Sequence, residues 1–125
     1  MAVDAGLLNF IRASIKSTWA LELLLLMQRQ SPRAFHPEEL VRALRGTNTL
    51  VNTCLEQLLA SGLVVREEDG TWRYAPASPA LEELVVQLEG AYAEKPVSVI
   101  NAIVASPNER LKSFADAFKL PKKDD

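Results

Sequence analysis

The chain of 125 residues contains one cysteine, one histidine and no hydrophobic run long enough to span a membrane. A lone cysteine, Cys54, forms no internal disulfide and supplies no multi-cysteine zinc site, so a reducing cytoplasm is the expected compartment. The apolar run from Leu23 to Met27 falls far short of the about 20 residues that a spanning helix needs. Residues 1–4 place no positive charge before an apolar stretch, so neither a secretory signal nor a membrane partner is expected.

Residues that catalysis and metal binding commonly require are scarce. No Ser-His-Asp trio that His36 would complete, no H-E-x-x-H motif and no Gly-rich phosphate loop is evident. Cys54 belongs to a predicted apolar helix face, where a thiol behaves as a small hydrophobic group. The carboxylates of Glu67, Glu68 and Asp69 lie on a predicted exposed turn, without the burial that tunes a catalytic pKa. We therefore expect no enzyme, no cofactor and no metal site.

The chain does have the composition of an ordinary soluble globular protein, with 48% hydrophobic and 24% charged residues. A single domain over residues 1–125 is expected, because domains commonly contain about 100–150 residues. The net charge is −2, but the charges are distributed unevenly along the chain. Residues 66–94 are strongly acidic, and the segments on both sides carry a slight basic excess. Nucleic-acid-binding proteins usually show a concentrated basic face, whereas the basic residues here are scattered.

The order of helix, turn and strand signals predicts a mainly α-helical fold with a small β-hairpin. Residues 7–30 lack Gly and Pro and favour helix, either one bent helix or two with a new start at Trp19. A short helix is expected from Pro37 to Gly46, and a third helix starts at caps within residues 47–49. The third helix has an apolar face at helical spacing, formed by Leu50, Val51, Cys54, Leu55, Leu58 and Leu59.

After the third helix, the spacing of the apolar residues changes from that of a helix to that of a strand. Gly62 is placed where a left-handed helix end is expected. The β-rich segments 63–66 and 71–74 flank turn residues and predict a hairpin, to which Phe35 adds a brief third strand. Residues 78–120 are expected to form a C-terminal helical extension. Its predicted apolar positions include Leu81, Leu84, Val85, Leu88 and Tyr92, then Val97, Ile100, Ile103 and Val104, then Leu111, Phe114, Ala115 and Phe118.

The segment around residues 19–27 is apolar on more than one side. One predicted stripe is formed by Trp19, Ala20, Leu23, Leu24 and Met27, and the additional Leu21, Leu25 and Leu26 require a second apolar surface to cover them. That surface is either the chain's own C-terminal helices or a second copy of the chain. The second alternative predicts a homodimer.

Residues 37–76, PEELVRALRGTNTLVNTCLEQLLASGLVVREEDGTWRYAP, resemble the winged helix-turn-helix of bacterial regulators such as the MarR and PadR groups. The passage LLASGLV resembles their usual transition from recognition helix to wing. The resemblance covers residues 19–76, and the whole chain is also similar to short uncharacterised bacterial winged-helix proteins. It implies a winged-helix core over residues 19–76, with extra N-terminal and C-terminal helices, in a cytoplasmic transcription regulator that binds double-stranded DNA.

In winged-helix DNA readers the third helix enters the major groove. The side of that helix opposite the apolar face carries the base-facing candidates Asn48, Thr49, Asn52, Thr53 and Gln57, together with Glu56. Asn and Gln pair with adenine, and Thr packs on the thymine methyl group. Phosphate contacts require Lys or Arg, and the candidates are Arg33, Arg42, Arg45, Arg66 and Arg73.

Other interpretations stay open at this point. Polar residues suit any solvated helix face, and Asn and Thr near a helix start also serve as caps. The acidic wing turn opposes DNA phosphates, and no Lys or Arg lies on the third helix. The alternative is therefore a winged-helix protein–protein interaction module, an adaptor in a regulatory complex that does not contact DNA. A small-ligand pocket around Trp19, Tyr92 and Phe114 is a further possibility.

Overall fold

The computed structural model describes residues 5–104, which form a mainly helical protein with a small antiparallel sheet. The predicted mainly α-helical fold with a small β-hairpin is confirmed. The helix predicted around Leu111, Phe114, Ala115 and Phe118 lies outside these residues. The elements in chain order are α1 Ala5–Ser14, α2 Thr18–Arg29, β1 Ala34–Phe35, α3 Pro37–Leu44, α4 Asn48–Ala60, β2 Val64–Arg66, β3 Trp72–Tyr74, α5 Pro79–Glu94 and α6 Pro96–Val104.

Side-chain caps define where three of the helices begin. The Ser17 hydroxyl accepts a hydrogen bond from the Ala20 amide at 3.1 Å, so residues 7–30 form two helices rather than one bent helix. The hydroxyls of Thr47 and Ser78 make the same bond at the starts of α4 and α5. Such caps satisfy backbone N–H groups that have no partner inside the helix.

The end of α4 leads directly into the sheet. Gly62 adopts a left-handed conformation with φ of +77°, as predicted. Its amide donates to the Leu59 carbonyl, and the Leu63 amide donates to the Leu58 carbonyl, which is the Schellman pattern of helix ends. The strands have the order β1-β3-β2, so the predicted third strand at Phe35 is confirmed. The chain thus reverses at Gly62 and starts the β2–β3 hairpin beside the end of α4.

The core is one cluster that includes residues of every helix. Helix α2 packs against α3, α4 and β3, whereas α1 packs against α5 and α6. Leu21 and Leu25 have no exposed surface in the single chain. The chain itself therefore covers Leu21 and Leu25, while Leu26 is half-buried. This stretch of leucines gives no support to the predicted homodimer.

Several apolar residues that indicated helices are exposed in the folded chain. Trp19 is 40% exposed and Leu59 is 38% exposed, because each lies at the edge of an apolar face that is narrower than its sequence pattern suggests. The helix predicted from Val97, Ile100, Ile103 and Val104 is confirmed as α6, although Val97 and Val104 are largely exposed. The residues that α6 buries are Val99, Ala102 and Ile103. Among the helices of residues 5–104, none combines the length and apolar character needed to cross a bilayer.

Candidate functional site

Helices α3 and α4 pack against each other and are joined by only three residues, Arg45, Gly46 and Thr47. Helix α3 ends at Leu44, two residues before the predicted end at Gly46, and Arg45 rather than Gly46 takes the left-handed conformation, with φ of 58°. A Cβ added at Gly46 would lie 3.7 Å from the ring of Trp19, so this aromatic side chain borders the turn. The result is a pair of helices joined by a tight turn, with an indole beside that turn.

The solvent-facing side of α4 is polar, as predicted. Asn48, Thr49, Asn52 and Thr53 are exposed, and we refer to these four residues as the α4 polar face. They lie opposite the buried residues of the same helix, Val51, Cys54, Leu55 and Leu58. Gln57, the fifth predicted base-facing residue, is half-buried at the margin of this face, while Glu56 is exposed beyond it.

The side chains of the α4 polar face have no structural task in the part of the chain that the structure describes. None of the four makes a hydrogen bond or ion pair with another residue there. The helix is capped by Thr47, whose hydroxyl accepts from the Leu50 amide at 3.1 Å. The interpretation of Asn48 and Thr49 as caps is therefore wrong. Their hydrogen-bonding groups are available to another molecule.

Two predicted phosphate-facing residues lie where α3 ends, Arg42 in its last turn and Arg45 at its C-cap. Both guanidinium groups are exposed, and neither has a carboxylate within ion-pair distance among residues 5–104. The first turn of α4 contains no acidic residue that would neutralise its positive end. Two unpaired cations therefore precede the acid-free start of α4 in the chain.

A third candidate, Arg33, is held within the chain. It pairs with Glu39 at 2.9 Å, donates to the Gln30 side chain at 2.7 Å and lies over the ring of Phe35 at 4.4 Å. Glu39 also accepts a hydrogen bond from the His36 amide. That bond, and to a lesser extent Arg33, lowers the pKa of the Glu39 carboxyl. The Glu39 carboxylate thus stays charged and keeps the Arg33 guanidinium occupied.

The remaining candidates, Arg66 and Arg73, lie on the β2–β3 hairpin and are also engaged. Arg73 donates to the Glu67 carboxylate at 2.7 Å. Arg66 lies over the ring of Trp72 at 5.8 Å, within the range of a cation–π contact. Of the five predicted phosphate-facing residues, Arg42 and Arg45 therefore have no ion pair or cation–π contact among residues 5–104. The other three, Arg33, Arg66 and Arg73, each interact with another side chain.

The turn of the hairpin is fixed in a charged form. The Asp69 carboxylate accepts from the Thr71 hydroxyl at 2.7 Å and from the Thr71 amide at 3.0 Å. These two hydrogen bonds lower the pKa of Asp69, because they favour the ionised carboxylate. Glu67 is balanced by Arg73, whereas Glu68 is exposed and has no cation within ion-pair distance among residues 5–104. The turn therefore presents uncompensated negative charge.

The predicted small-ligand pocket is only partly observed. Thr18, Trp19 and Glu22 line an open pocket of about 190 Å³, and Phe114 lies outside the described residues. The Tyr92 hydroxyl donates to Glu22 at 2.7 Å, a bond that raises the pKa of Tyr92.

Cys54 is buried, and burial raises the pKa of its thiol. The Cys54 side chain is therefore a core group, as predicted.

Two features of this region were missed by sequence reasoning. The Arg73–Glu67 pair follows from the hairpin register, since Arg66 lies opposite Trp72 and Arg73 is then a diagonal neighbour of Glu67. The exposed position of Trp19 was also missed, although large amphipathic side chains are rarely fully buried. The register of the two strands could have predicted the Arg73–Glu67 pair. The exposure of Trp19 depends instead on how α2 packs against the α3–α4 turn.

Comparisons with known proteins do not extend the resemblance. The chain matches no protein-family model, and neither the curated proteins nor the solved structures yield a match. The resemblance to winged-helix regulators therefore stays a prediction from residues 19–76.

Proposed function

We propose that this chain is a winged-helix protein that binds double-stranded DNA and regulates transcription, with α4 as the recognition helix and the β2–β3 hairpin as the wing. The observation that carries the proposal is the α4 polar face, whose four side chains are exposed and make no bond to another residue among residues 5–104, while two unpaired arginines lie at the end of the preceding helix α3. In helix-turn-helix proteins the N-terminal residues of the second helix contact base edges. The three-residue turn between α3 and α4 is typical of this motif.

Electrostatics around the turn favour phosphate contact. Arg42 and Arg45 provide two cations, and the acid-free start of α4 adds the positive end of a helix dipole. Arg45 holds a left-handed backbone conformation that is unfavourable for a side chain with a Cβ. Strained conformations concentrate at functional sites, so this position supports a role for Arg45 outside the stability of the fold.

The wing contributes little to the proposed complex. Its turn carries the uncompensated charges of Glu68 and Asp69, and its Arg73 is paired with Glu67. Carboxylates are repelled by the phosphates that line the minor groove. DNA contact is therefore assigned to the α3–α4 unit alone, and a homodimer on a palindromic site would double the two cationic contacts of each chain.

A titration of labelled, fragmented genomic DNA followed by fluorescence anisotropy tests the proposal. Two phosphate contacts for each chain predict a slope of about −1.8 in log affinity against log salt, and a homodimer doubles that slope for each complex. Sedimentation of the mixture gives the number of chains bound. Absence of binding at low salt, or binding that is independent of salt, would overturn the proposal.

The acidic hairpin turn favours a second candidate, a protein-binding adaptor with a basic partner. Glu68 and Asp69 present negative charge on the exposed end of the hairpin, and residues 66–94 are strongly acidic as a whole. Opposite charges on two surfaces steer their association. Under this alternative the hairpin, rather than α4, is the contact surface.

Neutralising the turn with Glu68→Gln and Asp69→Asn separates the two candidates. If α4 binds DNA, the double variant should bind DNA more tightly at low salt, because two repelling charges are removed. If the hairpin binds a basic protein, the same variant should lose that partner in affinity purification. Glu83→Gln with Glu94→Gln, at exposed positions of α5, is the matched control and should change neither result.

A further inference from the structure

The α4 polar face repeats one pair of residues on successive turns, Asn48 with Thr49 and Asn52 with Thr53. We infer that this face reads A·T base pairs in the major groove, an inference that rests on the proposed function. Both pairs are exposed, and none of the four side chains is bonded to another residue in the described part of the chain.

The chemistry of these side chains fits A·T and disfavours G·C. Adenine presents an acceptor at N7 and a donor at N6, and the Asn carboxamide has one donor group and one acceptor to match them. The C5-methyl group of thymine suits the methyl group of Thr. Guanine presents two acceptors that are read by Arg or Lys, and α4 contains neither residue.

The arginines do not alter this preference. Arg42 belongs to the last turn of α3, and Arg45 belongs to the turn that precedes α4. Helix N-terminal residues approach the base edges while the flanking cations approach the backbone. The two guanidinium groups are thus assigned to phosphates, which carry no sequence information directly.

The spacing of the repeat matches the spacing of stacked bases. Four residues of α-helix rise about 6 Å, and bases along one strand are about 3.4 Å apart. Asn48 and Asn52 therefore contact base pairs that are about two steps apart. Thr49 and Thr53 lie beside these two Asn residues on the same helix. Glu56 lies one turn further on and is exposed, and its carboxylate only accepts hydrogen bonds. It therefore does not match the adenine edge, which presents both an acceptor and a donor. The A·T assignment accordingly concerns the first two turns of α4.

Anisotropy titrations with three duplexes of equal length test the inference. The first is rich in alternating A·T, the second is rich in G·C, and the third is the A·T duplex with 7-deazaadenine and uracil in place of adenine and thymine. The third duplex loses the N7 acceptor and the methyl group, both in the major groove. We expect the unmodified A·T duplex to bind at least about fivefold more tightly than either of the others.

The outcomes are distinguishable. If no duplex binds at low salt, the proposed function fails. If the A·T and G·C duplexes bind equally with the expected salt slope, DNA binding stands and the A·T inference is overturned. If the modified duplex binds as tightly as the A·T duplex, the preference does not arise from the major groove, which also overturns the inference.

Asn52→Ala provides the residue-level test. Asn52 is exposed and alanine favours helix, so the variant should fold. It should reduce the preference for A·T about fivefold or more while leaving the salt slope unchanged, since no phosphate contact is removed. The matched control is Asn101→Ala, at an exposed position of α6, which should keep both the preference and the slope. Loss of the preference in the control, or its retention in Asn52→Ala, contradicts the inference.

Discussion

The double variant Arg42→Glu with Arg45→Glu should lose DNA binding while remaining folded. Both side chains are exposed and make no ion pair among residues 5–104. Each phosphate contact contributes about 0.9 to the salt slope, so the loss of two lowers the affinity about 60-fold at 0.1 M salt. Repulsion between the new carboxylates and the phosphates lowers it further. Anisotropy titrations at several salt concentrations measure both quantities.

Arg12→Glu with Lys95→Glu is the matched control for this charge reversal. It changes the net charge by the same amount, and both residues are exposed and lie at helix C-termini, as Arg42 and Arg45 do. Both variants therefore lose similar interactions with helix dipoles. The control should bind DNA with nearly the parent affinity. Equal losses in the two double variants would show that net charge, rather than the α3–α4 surface, controls binding.

Arg45→Gly separates the function of Arg45 from its effect on stability. The left-handed conformation is unfavourable by about 1–2 kcal/mol for a side chain with a Cβ, while glycine loses about 0.5–1 kcal/mol through greater freedom in the unfolded chain. The variant should therefore be more stable by about 0.5 kcal/mol in denaturant titrations and still bind DNA more weakly. A less stable variant would show that the Arg45 side chain supports the fold instead.

The parts of the fold that the sequence predicted well are governed by local chemistry. A hydroxyl at Ser17, Thr47 or Ser78 caps the helix that follows it through a bond to an amide three residues on. Gly62 ends a helix because its φ is positive. Signals of this kind depend on a few neighbouring residues, so the chain order of the elements and the polar side of α4 were both predictable.

The features that escaped prediction depend on contacts between distant elements. Periodicity indicated that α2 has apolar residues on several sides, but whether the same chain or another copy covers Leu25 is a property of how the helices pack. Likewise, charge alone made Arg33 a candidate phosphate ligand, whereas Glu39 and Phe35 occupy its guanidinium in the folded chain. Of the five predicted arginines, only Arg42 and Arg45 therefore remain in the candidate site.

Leu25→Ala should be among the most destabilising single changes in this protein. The side chain has no exposed surface in the single chain, and replacing such a leucine removes buried methyl groups and leaves a cavity. Substitutions of this type cost about 2–5 kcal/mol, a large part of the about 5–15 kcal/mol that typically separates folded from unfolded states. Urea titrations followed by circular dichroism measure the change.

The dependence on protein concentration decides what covers Leu25. Because the chain buries this residue by itself, Leu25→Ala should lower the unfolding midpoint by the same amount at every protein concentration over a 100-fold range, whereas a core shared between two copies makes that loss depend on concentration. Val97→Ala, at a position that is 69% exposed, is the control and should change stability by no more than about 0.5 kcal/mol. A loss that changes with concentration would mean that a second copy helps to cover α2, and it would restore this helix as the surface of the predicted homodimer.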